Sequence, residues 1–131
     1  TILNAMLVYP IKKLISRPRP DNSDLRSFPS GHTSNAFVGA EYFWQEYSHK
    51  SEWLAISGYL VATTTGYFRL HNNKHWFSDV LVGAGIGILS AKISYWLFPM
   101  VNKTILPSKH YSIYPITTPD FVGLNVIYHL K

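Results

Sequence analysis

The 131-residue sequence contains no cysteine. That excludes a disulfide framework and any thiolate metal site, and it leaves the redox compartment undecided. Carboxylates are scarce. Asp21, Asp24, Glu41, Glu46, Glu52, Asp79 and Asp120 are the only seven, and they are scattered, which argues against a carboxylate-built Mg²⁺ or Ca²⁺ cage. No internal repeat and no low-complexity segment is present. The chain starts at Thr1 inside an apolar stretch, without Met or a signal-peptide pattern, and reads as a fragment or a processed piece.

Long apolar runs are missing too. The longest uncharged segments are Trp53 to Phe68, 16 residues, and Val80 to Ala91, 12 residues. A membrane span needs about 20. Lys92 could snorkel from a longer helix, whereas Glu41 and Gln45 sit badly in lipid. Hydropathy therefore leans towards a bundle embedded in or resting on a membrane and leaves a soluble bundle open.

Aromatic side chains and basic charge are abundant. There are four Trp, nine Tyr and seven Phe, residues that favour membrane interfaces as well as cores. The formal charge is +5, and Lys12, Lys13, Arg17, Arg19 and Arg26 fall within fifteen positions. Such a cluster can be a solvated run, an anion site, a nucleic-acid surface or an acidic-lipid surface.

Periodicity predicts four helices. The first covers Thr1 to Ile15 and is stopped by Pro18 and Pro20. The second runs from about Gly31 to Tyr47, with Phe37, Ala40, Trp44 and Tyr47 recurring at helical spacing. The third covers Glu52 to about Phe68, and Arg69 to Lys74 form a polar loop. The fourth spans about His75 to Leu97 and ends at Pro99. Gly83 and Gly87, four apart, suit a close approach of another helix better than a dinucleotide fingerprint. Beyond residue 102 the pattern changes. Val122, Leu124, Val126, Tyr128 and Leu130 alternate with their neighbours, which predicts a strand, and residues 109–116 could pair with it as a hairpin. The expected organisation is an all-α bundle over 1–102 and a tail over 103–131.

Three clusters carry chemistry. Lys12 and Arg19-Pro20 end the first helix; alone, two cations there complement the helix dipole. Phe28-Pro29-Ser30-Gly31-His32-Thr33 opens the second helix. A serine there can be a simple cap, but the same geometry aims main-chain N–H groups at an anion. Arg69, His75 and Asp79 form the third, with His75 and Asp79 sharing a face if both are helical. A carboxylate beside an imidazole can fix its tautomer. Together the clusters offer three cations, a phosphate-cradling turn and two histidines at one end of an up-and-down bundle. That set meets the needs of phosphoryl transfer without a metal.

With these residues in view, the chain resembles the type 2 phosphatidic acid phosphatase superfamily, which also holds bacterial acid phosphatases and vanadium haloperoxidases. The resemblance rests on Lys12 to Arg19-Pro20 for K-x6-R-P, Pro29-Ser30-Gly31-His32 for P-S-G-H, and Arg69 to His75 to Asp79 for R-x5-H-x3-D. It implies that His75 attacks phosphorus, that Asp79 orients it and that His32 protonates the leaving alkoxide. Lys12, Arg19, Ser30, Gly31 and Arg69 would hold the phosphate, with no cofactor and no metal. The implied fold is a six-helix bundle, of which four helices are visible. The serine that precedes the third-motif arginine in the family is Phe68 here, so its hydroxyl is missing or supplied elsewhere, for example by Thr65 or Asn72.

The expected function is metal-independent hydrolysis of a lipid phosphate or pyrophosphate through a phosphohistidine. The expected setting is a membrane, with the active site on the extracytoplasmic, periplasmic side. A soluble nonspecific acid phosphatase is the close alternative, and 131 residues are few for a haloperoxidase. A nonenzymatic basic module would account for the charge but not for His75, Asp79 and the P-S-G-H turn; nucleic acid is not an expected partner.

Overall fold

The computed structural model describes the backbone of residues 1–105, 111–118 and 121–128 and the side chains of residues 1–101. It contains four helices, α1 (Ile2–Leu14), α2 (Gly31–Tyr47), α3 (Glu52–His71) and α4 (Phe77–Ile105). Thr1 to Tyr95 form one compact unit. Local chemistry sets the helix starts. Thr1 and Ser51 turn their hydroxyls onto the amides of Asn4 and Leu54, both at 3.3 Å, and so satisfy N–H groups that have no partner in the first turn.

Two boundaries differ from the periodicity, and both move site residues. The third helix continues through Arg69 to His71, so Arg69 lies on a helix rather than in a loop. Arg69 and His71 in that last turn complement the negative end of the dipole, and Asn73 ends the run with a positive φ of 54°. The fourth helix begins at Phe77, so His75 precedes it instead of opening it. That helix also passes through Pro99 to Ile105, because an internal proline removes only one ladder bond from a long apolar helix.

The tail is described by itself. Strands β1 (Tyr111–Thr118) and β2 (Phe121–Tyr128) pair antiparallel, with Tyr111 opposite Tyr128 and Thr118 opposite Phe121. Residues 109–110 of the first expected strand and 129–131 of the second lie outside the described residues.

Within the compact unit the interior is unusual in kind. Its fully buried side chains include Asn4, Ser27, Ser30, Thr33, Ser34, Glu41, Asp79 and Ser90, whereas the buried apolar residues are small, such as Ala40, Ala55, Ala62 and Ala91. Large apolar side chains point outward, with Trp53 83% and Leu14 82% exposed. Glu41 does not face outward: it receives Gln45 Nε2 at 2.8 Å, Lys92 Nζ at 2.9 Å and the Tyr59 hydroxyl. One described helix segment, Phe77–Val101, is long and apolar enough to cross a membrane.

Glycine sets the distance between α4 and the start of α2. A Cβ at Gly83 would meet the Ser30 carbonyl oxygen at 2.5 Å, and one at Gly87 would overlap the Ser34 carbonyl oxygen. These contacts are to backbone, which cannot swing away. Gly85, on the other side, has nothing within 4 Å. Gly83→Ala should therefore destabilise the protein by about 1–3 kcal/mol. Gly85→Ala should be neutral or stabilising by up to about 1 kcal/mol through helix propensity. Denaturant unfolding of the two variants side by side checks this, and equal effects would contradict it.

Candidate active site

One cavity of about 300 Å³ is lined by Lys12, Arg19, Gly31, His32, Asn35 and His75. Five of these six are residues singled out from the sequence. Lys12 comes from the last turn of α1, Arg19 from the following loop, Gly31 and His32 from the first turn of α2, and His75 from the turn before α4. Arg69, Ser30 and Asp79 do not line it.

Ser30 stands at the N-cap of α2, but its hydroxyl makes no capping bond; it shares a hydrogen bond of 2.8 Å with Thr33 Oγ1 instead. A simple cap, one of the two readings open from the sequence, is therefore not its role. The main-chain N–H groups of Gly31, His32 and Thr33 meet no acceptor among the described residues. Such a turn is a ready anion cradle, because free donors and the dipole's positive end point the same way.

The cations differ in how free they are. Lys12 Nζ donates to the Arg26 carbonyl at 2.9 Å, and Arg19 Nε pairs with Asp24 at 2.8 Å. Arg69 makes no ion pair among the described residues, and its buried Nε has no hydrogen-bond partner. A buried donor without an acceptor costs free energy that a bound oxyanion would return.

His75 is 3% exposed, and its Nδ1 lies 2.7 Å from the Ser27 carbonyl oxygen. A carbonyl only accepts, so Nδ1 carries the hydrogen and Nε2 keeps its lone pair. Burial pushes the His75 pKa down to about 4, helped by the charges of Lys12 and Arg19 and opposed by the Ser27 bond and Asp79. At neutral pH the ring is an uncharged nucleophile or base. His32 is also pushed down, by burial and then by Arg69, Arg19 and Lys12. An anion in the cavity would offset those cations and favour its protonated form.

The expected pairing of Asp79 with His75 is indirect. His75 Nδ1 and Asp79 Oδ2 are 3.9 Å apart, and His75 lies outside the helix that carries Asp79. Asp79 is fully buried and acts on what surrounds His75. Its Oδ2 accepts from the Ser27 hydroxyl and from the Trp76 amide at 3.0 Å, and its main-chain oxygen accepts from the Ser30 amide at 2.9 Å. The same serine that Asp79 holds by its hydroxyl holds His75 by its carbonyl.

Two members of this arrangement, Ser27 and Arg17, were not legible as site residues. Arg17 Nη1 donates to Asp79 Oδ1 at 2.6 Å and to Ser78 Oγ at 2.7 Å, and its guanidinium lies 5.6 Å from the Trp76 ring centroid. Arg17 was visible only as one charge in a basic run; its partner is 62 positions away. The family serine replaced by Phe68 has no substitute in Thr65, whose hydroxyl donates to the Val61 carbonyl at 3.1 Å, and Asn72 does not line the cavity. Phe68 itself is 51% exposed.

The PAP2 superfamily model matches residues 1–103. The chain is 46% identical over 92 residues to a lipid A 1-phosphatase of Porphyromonas gingivalis, covering 70% of this chain and 21% of that protein. It is 34% identical over 92 residues to phosphatidylglycerophosphatase B of Bacillus subtilis, covering 60% and 45%. A probable lipid phosphate phosphatase 4 of Arabidopsis thaliana shares 30% identity over 104 residues, covering 71% and 32%. The chain thus spans less than half the length of each of these relatives. No solved structure matches it significantly.

Two outcomes are expected from this geometry. Arg17→Leu should cost about 1–3 kcal/mol in unfolding free energy, because it strands the buried Asp79 carboxylate, and Arg17→Lys should recover part of it. Urea unfolding of both variants measures the difference. The second concerns pH. With the folded pKa of His75 at about 4 and the unfolded value near 6.5, the unfolded chain binds a proton in that window that the folded chain does not. Stability is then full above pH 6.5 and falls as pH drops towards 4, by up to about 1.4 kcal/mol per unit. His75→Gln should flatten that slope in unfolding curves taken between pH 7 and 4.

Proposed function

The chain belongs to the PAP2 superfamily, and from that premise we propose that it hydrolyses a phosphate monoester or pyrophosphate carried on a lipid, through a phosphohistidine at His75. The observation that carries this reading is the convergence of Lys12, Arg19, Gly31, His32 and His75 on one cavity, with Arg69, whose buried Nε has no hydrogen-bond partner, acting on His32. The names of the relatives, a lipid A 1-phosphatase and a phosphatidylglycerophosphatase among them, support the lipid substrate.

The chemistry follows from the residues. Lys12, Arg19, Arg69 and the free amides at the start of α2 neutralise the non-bridging oxygens, the charge that builds in the transition state. His75 Nε2 attacks phosphorus while Nδ1–H stays on the Ser27 carbonyl. The P–O bond to the leaving group breaks, and protonated His32 gives that oxygen its hydrogen. Neutral His32 then takes a proton from water as the water attacks phosphorus. The P–N bond breaks, and phosphate leaves with His75 restored. Arg17, Asp79 and Ser27 take no part in bond making; they position His75.

The membrane setting is supported by the apolar segment Phe77–Val101 and by a unit that buries polar side chains while exposing large apolar ones. A phosphate on a lipid sits at the headgroup level, which suits a site gathered at one end of the helices. In this reading that end lies on the extracytoplasmic side.

The test is phosphate release by the full-length protein from a long-chain lipid phosphate and a short soluble ester, in EDTA. Turnover of the lipid should survive EDTA and be inhibited by vanadate, which mimics the five-coordinate transition state. His75→Ala should lower turnover by at least about 10³-fold. Acid quenching should trap label on the wild type and not on that variant. Dependence on added Mg²⁺ would overturn the mechanism, and preference for the soluble ester would favour the acid phosphatase alternative.

A further inference from the structure

One residue of the cavity belongs to none of the three motifs. Asn35 lies three positions after His32, on the same face of α2, and is exposed. It lines the cavity that holds His32 and His75, and it also lines a second, adjoining cavity of about 260 Å³ with Ala5, Val8 and Tyr9 of α1. Lys12 and Gly31 are shared by both, so Asn35 stands at the seam between them.

The orientation of its amide is set from behind. The buried Ser34 hydroxyl donates to Asn4 Oδ1 at 2.6 Å. With its oxygen on Ser34, the other end of the Asn4 amide is its nitrogen. That nitrogen donates to Asn35 Oδ1 at 2.7 Å. The carbonyl of Asn35 is thereby occupied, and its NH₂ is left without a partner among the described residues. With its carbonyl taken up by Asn4, Asn35 has its NH₂ donors left for the cavity it lines. Ser34 and Asn4 are each 2% exposed or less, so the bond between them is buried.

We propose that Asn35 is a specificity-determining residue that donates a hydrogen bond to the leaving group, at an oxygen close to the scissile ester. The inference rests on the hydrolase reading above. His32 faces the leaving oxygen in that reading, and Asn35 is the next residue along the same helix face, towards the second cavity. A ligand with phosphate among the cations and its remainder in the second cavity passes Asn35. The donor rewards leaving groups that carry an acceptor there, such as the inner phosphate of a lipid diphosphate or the oxygens of a sugar 1-phosphate. A simple alkyl phosphate offers none. Phe68 makes the donor more telling, since the cavity lacks the hydroxyl that family members place before the motif arginine.

The experiment compares three substrates with full-length wild type, Asn35→Ala and Asn35→Asp: a long-chain alkyl monophosphate, a prenyl diphosphate and a glycolipid 1-phosphate. Asn35→Asp keeps the acceptor for Asn4 and removes the donor, so it guards against a packing defect in the alanine variant. Both variants should lower the kcat/KM ratio of an oxygen-rich substrate over the alkyl monophosphate. The expected fall is about 10-fold for a neutral acceptor and up to about 100-fold for a charged one. A fall confined to the diphosphate identifies the phosphate as the acceptor, and one confined to the glycolipid identifies the sugar. Unchanged ratios in both variants, whether rates drop equally or not at all, overturn the proposal. Failure of the wild type to release phosphate from any of the three overturns the hydrolase reading instead.

Discussion

Asp79 is the residue on which the geometry of the site depends. Its side chain is fully buried, and a buried carboxylate must be matched by donors or become too costly to keep charged. Arg17, the Ser27 hydroxyl and the Trp76 amide meet that demand, and the Asp79 main-chain oxygen takes the Ser30 amide. One requirement for satisfaction therefore gathers the loop after α1, the cradle before α2 and the turn before α4. Ser27 then passes the constraint on, through its carbonyl, to His75. The histidine is held by an atom that can only accept, so its tautomer follows from the position of a serine backbone.

The electrostatics of the cavity point in one direction. Lys12 and Arg19 act on both histidines, and Arg69 on His32, and each favours the neutral form. Lys12 is itself pushed below its ordinary pKa, by burial first and by Arg19 next. Like charges held together store a repulsion that an anion relieves. The cluster is thus preorganised for a ligand of opposite charge, and such a ligand would move His32 towards its protonated form.

Packing of the helices supports this with small residues and polar bonds rather than large apolar contacts. Gly83 and Gly87 bring α4 against the carbonyls of Ser30 and Ser34. Glu41 is satisfied by Lys92, Tyr59 and Gln45, and Asn4 by Ser34 and Asn35. Close backbone approach and interhelical hydrogen bonds are the means by which helices associate where burial of apolar surface drives little.

The spacing of apolar and breaking residues determined four helices and their order, and the motifs determined which side chains would meet. Lys12, Arg19, Gly31, His32 and His75 could be named from sequence because each stands at a helix end marked by proline, glycine or a change of polarity. The use of Gly83 and Gly87 was legible for the same reason, since their spacing is helical. What sequence could not give was any relation that depends on distance through space. Extending α3 by one turn put Arg69 on a helix, and starting α4 two residues late moved His75 off the face of Asp79. The pairing of Arg17 with Asp79 spans 62 residues and that of His75 with Ser27 spans 48. No periodicity encodes such pairs, because they arise only when packed helices leave a buried charge that must find its donors.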